Sequence, residues 1–153
     1  MGRGSGSLPE APAPTRAVVD ASGLILGRAA SLIAQRLLAG ETIVVVNAER
    51  AVITGGRSQV IAHYTQARAR GSTRTGPHFP RYPDRIFRRT VRGMLPHLKT
   101  RGKVAYDRLE VHIGVPDALK EAPTETLEDA KARPTVQPPM TLAEVTRLLG
   151  ARL

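Results

Sequence analysis

Apolar residues recur at helical spacing near the start of the chain. A helix is predicted from Gly27 to Ala39, because its apolar positions repeat at intervals of three and four residues. They are Ala30, Ile33, Ala34, Leu37 and Leu38. Gly40 is placed to end this helix, since glycine commonly follows a helix C-terminus. A short strand over residues 17–20 and a turn at Ser22–Gly23 precede the helix.

Continuous apolar runs follow and indicate strands. Ile43–Val46 contains no polar residue, as a strand covered on both faces requires. Ala51–Thr54 is a second run, which Gly55–Gly56 stops. Leu109–Ile113 alternates apolar and polar residues, which predicts a strand with one buried face. The runs favour a parallel or mixed sheet covered by helices.

The middle of the chain holds two predicted helices separated by a long loop. The first extends from about Ser58 to Arg68, and the second begins at Pro83 with Asp84 as its N-cap. Residues 70–83 lack periodicity, and a loop of this length is usually functional or disordered. The second helix is expected to bury one apolar face, formed by Phe87, Val91, Met94 and Leu95.

Composition divides the chain into three parts. Residues 1–15 consist mainly of Gly, Ser, Pro and Ala, which predicts a flexible leader. Residues 16–116 form the predicted α/β domain, whose last short helix is capped by Thr100 and extends to Arg108. Residues 117–153 form an acidic, Pro-rich extension.

A capping box predicts one more helix near the C-terminus. Thr141 and Glu144 have the spacing at which each side chain can bond the backbone N–H of the other. The helix should run from Leu142 to Leu149. A helix this short is marginal alone, so Leu142, Val145 and Leu149 are expected to dock on the body or on another protein.

The 153 residues carry a net charge of +10, and this charge is unevenly distributed. Of the 23 basic residues, 19 are Arg and 4 are Lys. Residues 57–103, called the cationic segment below, contain twelve basic residues and one acidic residue, Asp84. Arginine suits phosphate because its guanidinium group can donate two parallel hydrogen bonds. The concentration of charge favours a polyanion as partner over the alternative of a generally basic, solvated surface.

The basic residues of the cationic segment are the predicted RNA-binding residues. They are Arg57, Arg68, Arg70, Arg74, Arg81, Arg85, Arg88, Arg89, Arg92, Lys99, Arg101 and Lys103. One face of the helix after Pro83 carries Arg85, Arg88, Arg89 and Arg92. Like charges at this spacing repel, and no acidic residue interleaves them. An anionic partner is the simplest explanation.

Ring side chains accompany the arginines of the loop. His78, Phe79 and Tyr82 are candidates for stacking on RNA bases. The alternative is that the two aromatic residues pack the loop onto the core. The sequence leaves both interpretations open.

Motifs for catalysis or metal binding are missing from the sequence. There is no Cys, which excludes disulfides, thiolate nucleophiles and Cys-ligated metals. The four histidines lack the spacing of a metal or acid–base site. Gly55–Gly56 could hold a phosphate, although a tight strand-to-helix turn is the simpler interpretation. We expect no catalytic residue, metal, cofactor, small-molecule substrate or membrane association.

Three separated blocks of this sequence resemble one known family. They are Val18–Ala30, Val46–Gly55 and Pro83–Pro96, the last of which contains Val-Arg-Gly-Met-Leu-Pro. In this order the blocks resemble ribosomal protein thirteen of the large subunit, in its archaeal and eukaryotic form. The resemblance covers about residues 17–116.

The resemblance implies an α/β fold, a three-layer α/β/α domain around a small, mostly parallel four-stranded sheet, to which the residue pattern adds a C-terminal extension with a short helix. It implies a structural, non-catalytic role in the large ribosomal subunit of the cytoplasm. The partners would be ribosomal RNA and neighbouring ribosomal proteins, and the protein would support subunit assembly and translation.

Two alternative functions belong to other classes. A small nucleotide-dependent or RNA-modifying enzyme would require an acid–base pair or a metal cluster near Gly55. A free RNA-binding regulator of translation would differ from a ribosomal protein by not cosedimenting with large subunits.

Overall fold

The computed structural model describes residues 16–70, 74, 79–133 and 139–152. The predicted leader at residues 1–15 and His78 lie outside the described residues. The described strands are β1 (Arg16–Asp20), β2 (Thr42–Val46), β3 (Val52–Ile53), β4 (Leu109–Val111) and β5 (Met140–Thr141). The described α-helices are α1 (Leu26–Leu38), α2 (Arg57–Ala69), α3 (Pro83–Gly93), α4 (Thr100–Asp107) and α5 (Leu142–Leu148). Among these helices, none has the length and apolar character needed to cross a membrane.

The main sheet is parallel, with β2 in its centre between β1 and β4. Val18 pairs with Val44, and Val45 pairs with Val111. Residues 43–46 are fully buried, which confirms that β2 is covered on both faces. Parallel neighbours need long crossover connections. Helix α1 supplies the connection from β1 to β2, and helices α2, α3 and α4 lie between β2 and β4.

The expected fourth strand of this sheet is not confirmed. The apolar run at Ala51–Thr54 leaves the sheet, and β3 pairs antiparallel with β5 instead. Only five residues separate β2 from β3, whereas a parallel crossover needs about a dozen or more. The free edge of β1 is covered by Glu125, whose N–H donates to Val18 and whose carbonyl accepts from Asp20, at 2.9 and 3.0 Å.

The α-helices cover one face of the main sheet. Side chains from all five described helices share one core with Val19, Ile43 and Val45 of the sheet. The opposite face presents Val18, Val44 and Val46, against which Leu119 and Ala122 pack. Leu119 belongs to a single 3-10 turn. Because the described residues place no α-helix on this second face, the expected three-layer arrangement is not confirmed.

The starts of two helices differ from the predictions. Helix α3 begins at Pro83 with Tyr82 as its N-cap, so Asp84 lies inside the first turn. Proline is favoured at the first helical position because the N–H that it lacks would have no partner there. Helix α4 begins at Thr100, and its N-cap is Lys99, without a side-chain hydrogen bond. Neither Asp84 nor Thr100 is therefore the cap.

The predicted apolar face of α3 is confirmed except at its end. Phe87, Val91 and Leu95 are buried, and Ile86 joins them. Met94 is 43 % exposed, because α3 ends at the preceding residue and the chain turns away from the helix axis. Strand β4 likewise ends earlier than predicted, at Val111, and Ile113 lies outside the strand and is exposed.

Helix α5 docks on the core as predicted. The Thr141 hydroxyl accepts a hydrogen bond from the Glu144 backbone N–H at 3.3 Å, which confirms the capping residue. Leu142 and Val145 are buried in the main core, and Leu149 packs against it. The division of the chain at residue 116 stays a prediction, and the segment beyond it contributes to the same core.

Candidate nucleic-acid interface

Helix α3 holds its arginines opposite its buried face. Ile86, Phe87 and Val91 pack towards α1 and β4. The other side carries Arg85 and Arg89, which are exposed, and Arg88 and Arg92, which are half-buried. Asp84, the single acid of the cationic segment, forms no ion pair within the described residues. The body of the protein therefore fixes the spacing of four positive charges.

Aromatic rings hold two of these arginines. The guanidinium carbon of Arg88 lies 4.5 Å from the ring centre of Tyr106 in α4. That of Arg89 lies 5.6 Å from the ring centre of Phe79. Such contacts orient a cation and leave its charge in place. Both arginines are thus ordered without being neutralised.

The ring side chains of the loop have different surroundings. Phe79 is half-buried, and its ring centre lies 5.9 Å from that of Tyr64 in α2. Tyr82 is 41 % exposed. Phe79 therefore packs onto the core, whereas Tyr82 lies at the surface.

Two members of the cationic segment have intramolecular partners that the sequence pattern does not predict. Arg57 Nη1 lies 3.2 Å from Glu144 Oε2, which joins α2 to α5. Arg68 Nη1 donates a hydrogen bond to the carbonyl oxygen of Phe79, which ties the loop to α2. These partners come from distant parts of the sequence and depend on the fold.

The remaining cations of the segment lie at the surface. Those that are exposed are Arg70, Arg74, Arg81, Lys99, Arg101 and Lys103. Leaving Arg74 aside, Arg57 is the one member of the segment that forms an ion pair with a carboxylate within the described residues. Outside the segment, ion pairs to carboxylates engage Arg16, Arg36, Arg50, Lys120 and Lys131. The uncompensated charge is therefore concentrated in the cationic segment.

The turn before α2 has the geometry of a strand-to-helix connection. Gly55 has φ of +117°, a conformation that favours glycine. A cavity of about 440 Å³ beside it is lined by Arg28 and Arg133, with no carboxylate among its described lining residues. The described residues also contain no group of three or more His, Asp or Glu able to hold a metal ion. The acid–base pair or metal cluster that the enzymatic alternative requires is thus not found beside Gly55 among the residues that the structure describes.

A polar cluster at the carboxyl ends of β1 and β2 is absent from the sequence predictions. Asp20 Oδ1 accepts hydrogen bonds from the Ser22 backbone N–H at 2.9 Å and from Asn47 Nδ2 at 3.2 Å. Burial raises the pKa of Asp20, but these hydrogen bonds and the nearby Arg50 outweigh burial and leave the pKa below its ordinary value. Asn47 has φ of +57°, which asparagine tolerates better than most residues. The signal in the sequence that could have predicted this cluster is an asparagine directly after a buried strand.

Known proteins match most of this chain. The family model described as Ribosomal protein L13 matches residues 15–118. The large ribosomal subunit protein uL13 of Archaeoglobus fulgidus is 55 % identical over 137 residues, which cover 88 % of this chain and 88 % of that relative. Proteins of the same name from Methanosarcina barkeri and Methanocaldococcus jannaschii are 49 % and 44 % identical, over 88 % of this chain and 98 % of each relative.

Proposed function

The chain belongs to the ribosomal protein L13 family, and from this premise we propose that it binds large-subunit ribosomal RNA through its cationic segment. The family is a structural, non-enzymatic component of the ribosome. The protein acts in the cytoplasm as part of the large subunit, where neighbouring ribosomal proteins are its further partners. Its proposed task includes support of subunit assembly.

The observation that carries the proposal is the uneven compensation of charge. Of the ten described Arg and Lys residues outside the segment, five pair with carboxylates, whereas within the described part of the segment, with Arg74 left aside, one of eleven does. Such a surface repels itself until an external anion approaches. RNA phosphates supply that anion at regular spacing.

The mechanism follows from the rigidity of the α/β body. RNA helices repel one another through their phosphates, and cations placed between them reduce this repulsion. Helix α3 and the start of α4 hold such cations at fixed positions, so RNA segments can pack against them in one arrangement. Contacts to phosphate position the RNA, and its shape is recognised more than its sequence.

Ten of the twelve cations of the segment divide into three groups in this proposal, which leaves aside Arg74 and Arg68, the latter being bonded to the Phe79 carbonyl. The principal phosphate contacts are the members for which the described residues provide no carboxylate or ring partner: Arg70, Arg81, Arg85, Arg92, Lys99, Arg101 and Lys103. Arg88 and Arg89 contribute as cations already oriented by rings. Arg57 must exchange Glu144 for phosphate, so its contribution is smaller.

Salt dependence of RNA binding tests the mechanism. With roughly six phosphate contacts, affinity for large-subunit ribosomal RNA should fall about a thousandfold between about 50 and 200 mM salt, by analogy with duplex DNA. Filter binding of the full chain across this range measures the slope. A flat response would exclude binding through phosphate neutralisation.

Cosedimentation separates a ribosomal constituent from a free regulator. The full chain, expressed with a small tag in an archaeal host such as Methanosarcina barkeri, should migrate with the large subunit in a sucrose gradient. A regulator would remain at the top of the gradient while still binding RNA in the filter assay. That combination of results would favour the regulatory alternative.

A further inference from the structure

A groove passes beside Thr54, where β3 ends and α2 begins. Three adjoining cavities of about 440, 800 and 330 Å³ all have Thr54 in their walls. The largest lies between α1, α2 and α3, and its volume is within the range of ordinary ligand pockets. The groove is therefore large enough for part of an extended ligand.

One wall of the largest cavity is a continuous series of rings ending in a cation. The ring centres of His63 and Tyr64 lie 5.1 Å apart, and those of Tyr64 and Phe79 lie 5.9 Å apart. Arg89 then lies over Phe79. His63 is exposed and Tyr64 is buried, so the series extends from the surface into the groove. Flat rings beside a guanidinium group suit a nucleobase.

The charged residues of the walls are all cationic. Arg28 and Arg89 line the largest cavity, and Arg28 and Arg133 line the one beside it. No Asp or Glu is present among the described lining residues of the three cavities. Outside the described residues the sequence contains a single acid, Glu10. Charge complementarity therefore favours a nucleic acid over a peptide of a neighbouring protein.

We propose that this groove binds an unpaired nucleotide of ribosomal RNA, with its base against the ring wall and its phosphates near the cationic rim. Bases within a duplex are stacked and cannot reach such a wall, whereas an unpaired base can leave the stack. The inference rests on the proposed function and adds that one part of the RNA contact is single-stranded.

A pair of matched substitutions tests the groove. Thr54→Glu places a carboxylate where the three cavities meet, and Thr65→Glu makes the same charge change on α2, outside their walls. Both positions are exposed, so both variants should fold. Affinity is measured for oligouridine and for an RNA duplex of the same length. Thr54→Glu should weaken oligouridine binding by about tenfold or more relative to Thr65→Glu, whereas duplex binding should be equal.

A third variant tests the ring without altering charge. Phe79→Leu should reduce oligouridine affinity by about tenfold and leave the salt slope unchanged, since stacking releases no counterions. Equal oligouridine affinities for Thr54→Glu and Thr65→Glu would overturn the proposal even if duplex binding persisted. Failure of the wild-type chain to bind either RNA would instead overturn the proposed function.

The same site can be tested inside the assembled particle. Large subunits that contain the protein are irradiated with ultraviolet light and digested with trypsin and nuclease. A nucleotide adduct is expected on the tryptic peptide Ser58–Arg68, which carries His63 and Tyr64. If peptides carrying α3 are labelled and this peptide is not, the groove is occupied by something other than RNA.

Discussion

At position 102 the absence of a side chain determines how α4 meets the loop after α3. A methyl group on Gly102 would lie 2.0 Å from the carbonyl oxygen of Pro96 and 2.2 Å from its carbonyl carbon. Both are backbone atoms, which cannot rotate aside. Glycine is required here because the backbones of residues 96 and 102 approach each other closely. This close approach sets the positions of Lys99, Arg101 and Lys103 relative to α3.

Gly102→Ala should therefore destabilise the protein by about 1–3 kcal/mol, because overpacking forces the backbone to move. The higher helix propensity of alanine, worth about 1 kcal/mol, offsets only part of this cost. Gly93→Ala is the matched control, since a methyl group there meets no atom within 4 Å. Urea unfolding measures both variants. Equal stability of the two would contradict the close packing at Gly102.

Asp20 makes a pH-dependent contribution to stability. Its pKa in the folded state lies below the ordinary value of 3.8. Its contribution is therefore complete above the unfolded pKa and is lost as pH falls through the folded pKa. The stability difference between wild type and Asp20→Asn should be constant near neutral pH and should shrink below about pH 4.

Thermal unfolding as a function of pH measures that difference. In an Asn47→Gly background the left-handed backbone is retained but one hydrogen bond to Asp20 is removed. The pH-dependent difference should then be smaller. An unchanged difference would show that Asn47 does not stabilise the carboxylate.

Among the elements, those with strong local signals could be predicted from the sequence. Helix α1 has a regular apolar stripe and a terminal glycine, and the observed helix differs from the prediction by one residue at each end. The sequence signals for strand β2 and for the cap of α5 are equally local, because each lies within a few consecutive residues. Strand β3 could not be assigned to a sheet, because its partner β5 lies near the end of the chain and shares no local pattern with it.

The candidate interface shows the same division. Its basic residues all lie in one segment, so the distribution of charge along the sequence is enough to select them as candidates. The contacts of Arg88 with Tyr106 and of Arg57 with Glu144 join residues far apart in the sequence. Packing of α3 on α4 and of α2 on α5 creates these contacts. The periodicity of apolar residues in the sequence does not predict them.

The stripe on α3 permits a direct test of phosphate binding. Arg85→Gln combined with Arg92→Gln should lower affinity for ribosomal RNA and reduce the salt slope by about two, or about one per lost phosphate contact. Stability should not fall, because neither residue belongs to the core. Arg147→Gln combined with Arg152→Gln removes the same charge outside the segment and should leave the slope unchanged.

The corresponding lysine variant distinguishes geometry from charge. Arg85→Lys combined with Arg92→Lys keeps two cations but loses the paired donors of the guanidinium group. Intermediate affinity would indicate bidentate phosphate contacts. Salt slopes that are the same for the glutamine variant and wild type would exclude this face of α3 from the RNA contact.

At the scale of the molecule, the α/β class and the family follow from the sequence, and both are confirmed. The number of strands in the main sheet and the arrangement of layers around it cannot be predicted from the sequence. Both depend on which distant segments of the chain pair. The acidic extension illustrates the point. Its composition suggests a separate part, yet Leu142 and Val145 are buried in the main core.

The chain should consequently unfold as one cooperative unit. Leu142→Ala removes a fully buried side chain and should cost about 2–5 kcal/mol. Leu148→Ala on the same helix is the control, since Leu148 is 57 % exposed and should cost little. Calorimetry should show one transition for both variants. A second, independent transition in Leu142→Ala would show that the extension unfolds on its own.

The pairing of β3 with β5 also has a consequence for protein synthesis. The ribosome makes Ile53 long before Met140, which follows it by 87 positions in the sequence. At about 5–20 residues per second, this interval lasts roughly 4–17 s. Throughout it, β3 lacks its partner β5 and the apolar surface that α5 will cover stays open, and the cationic segment is completed within this interval, before Met140 is made. The nascent chain thus acquires the charge that we propose attracts RNA before it can complete its fold.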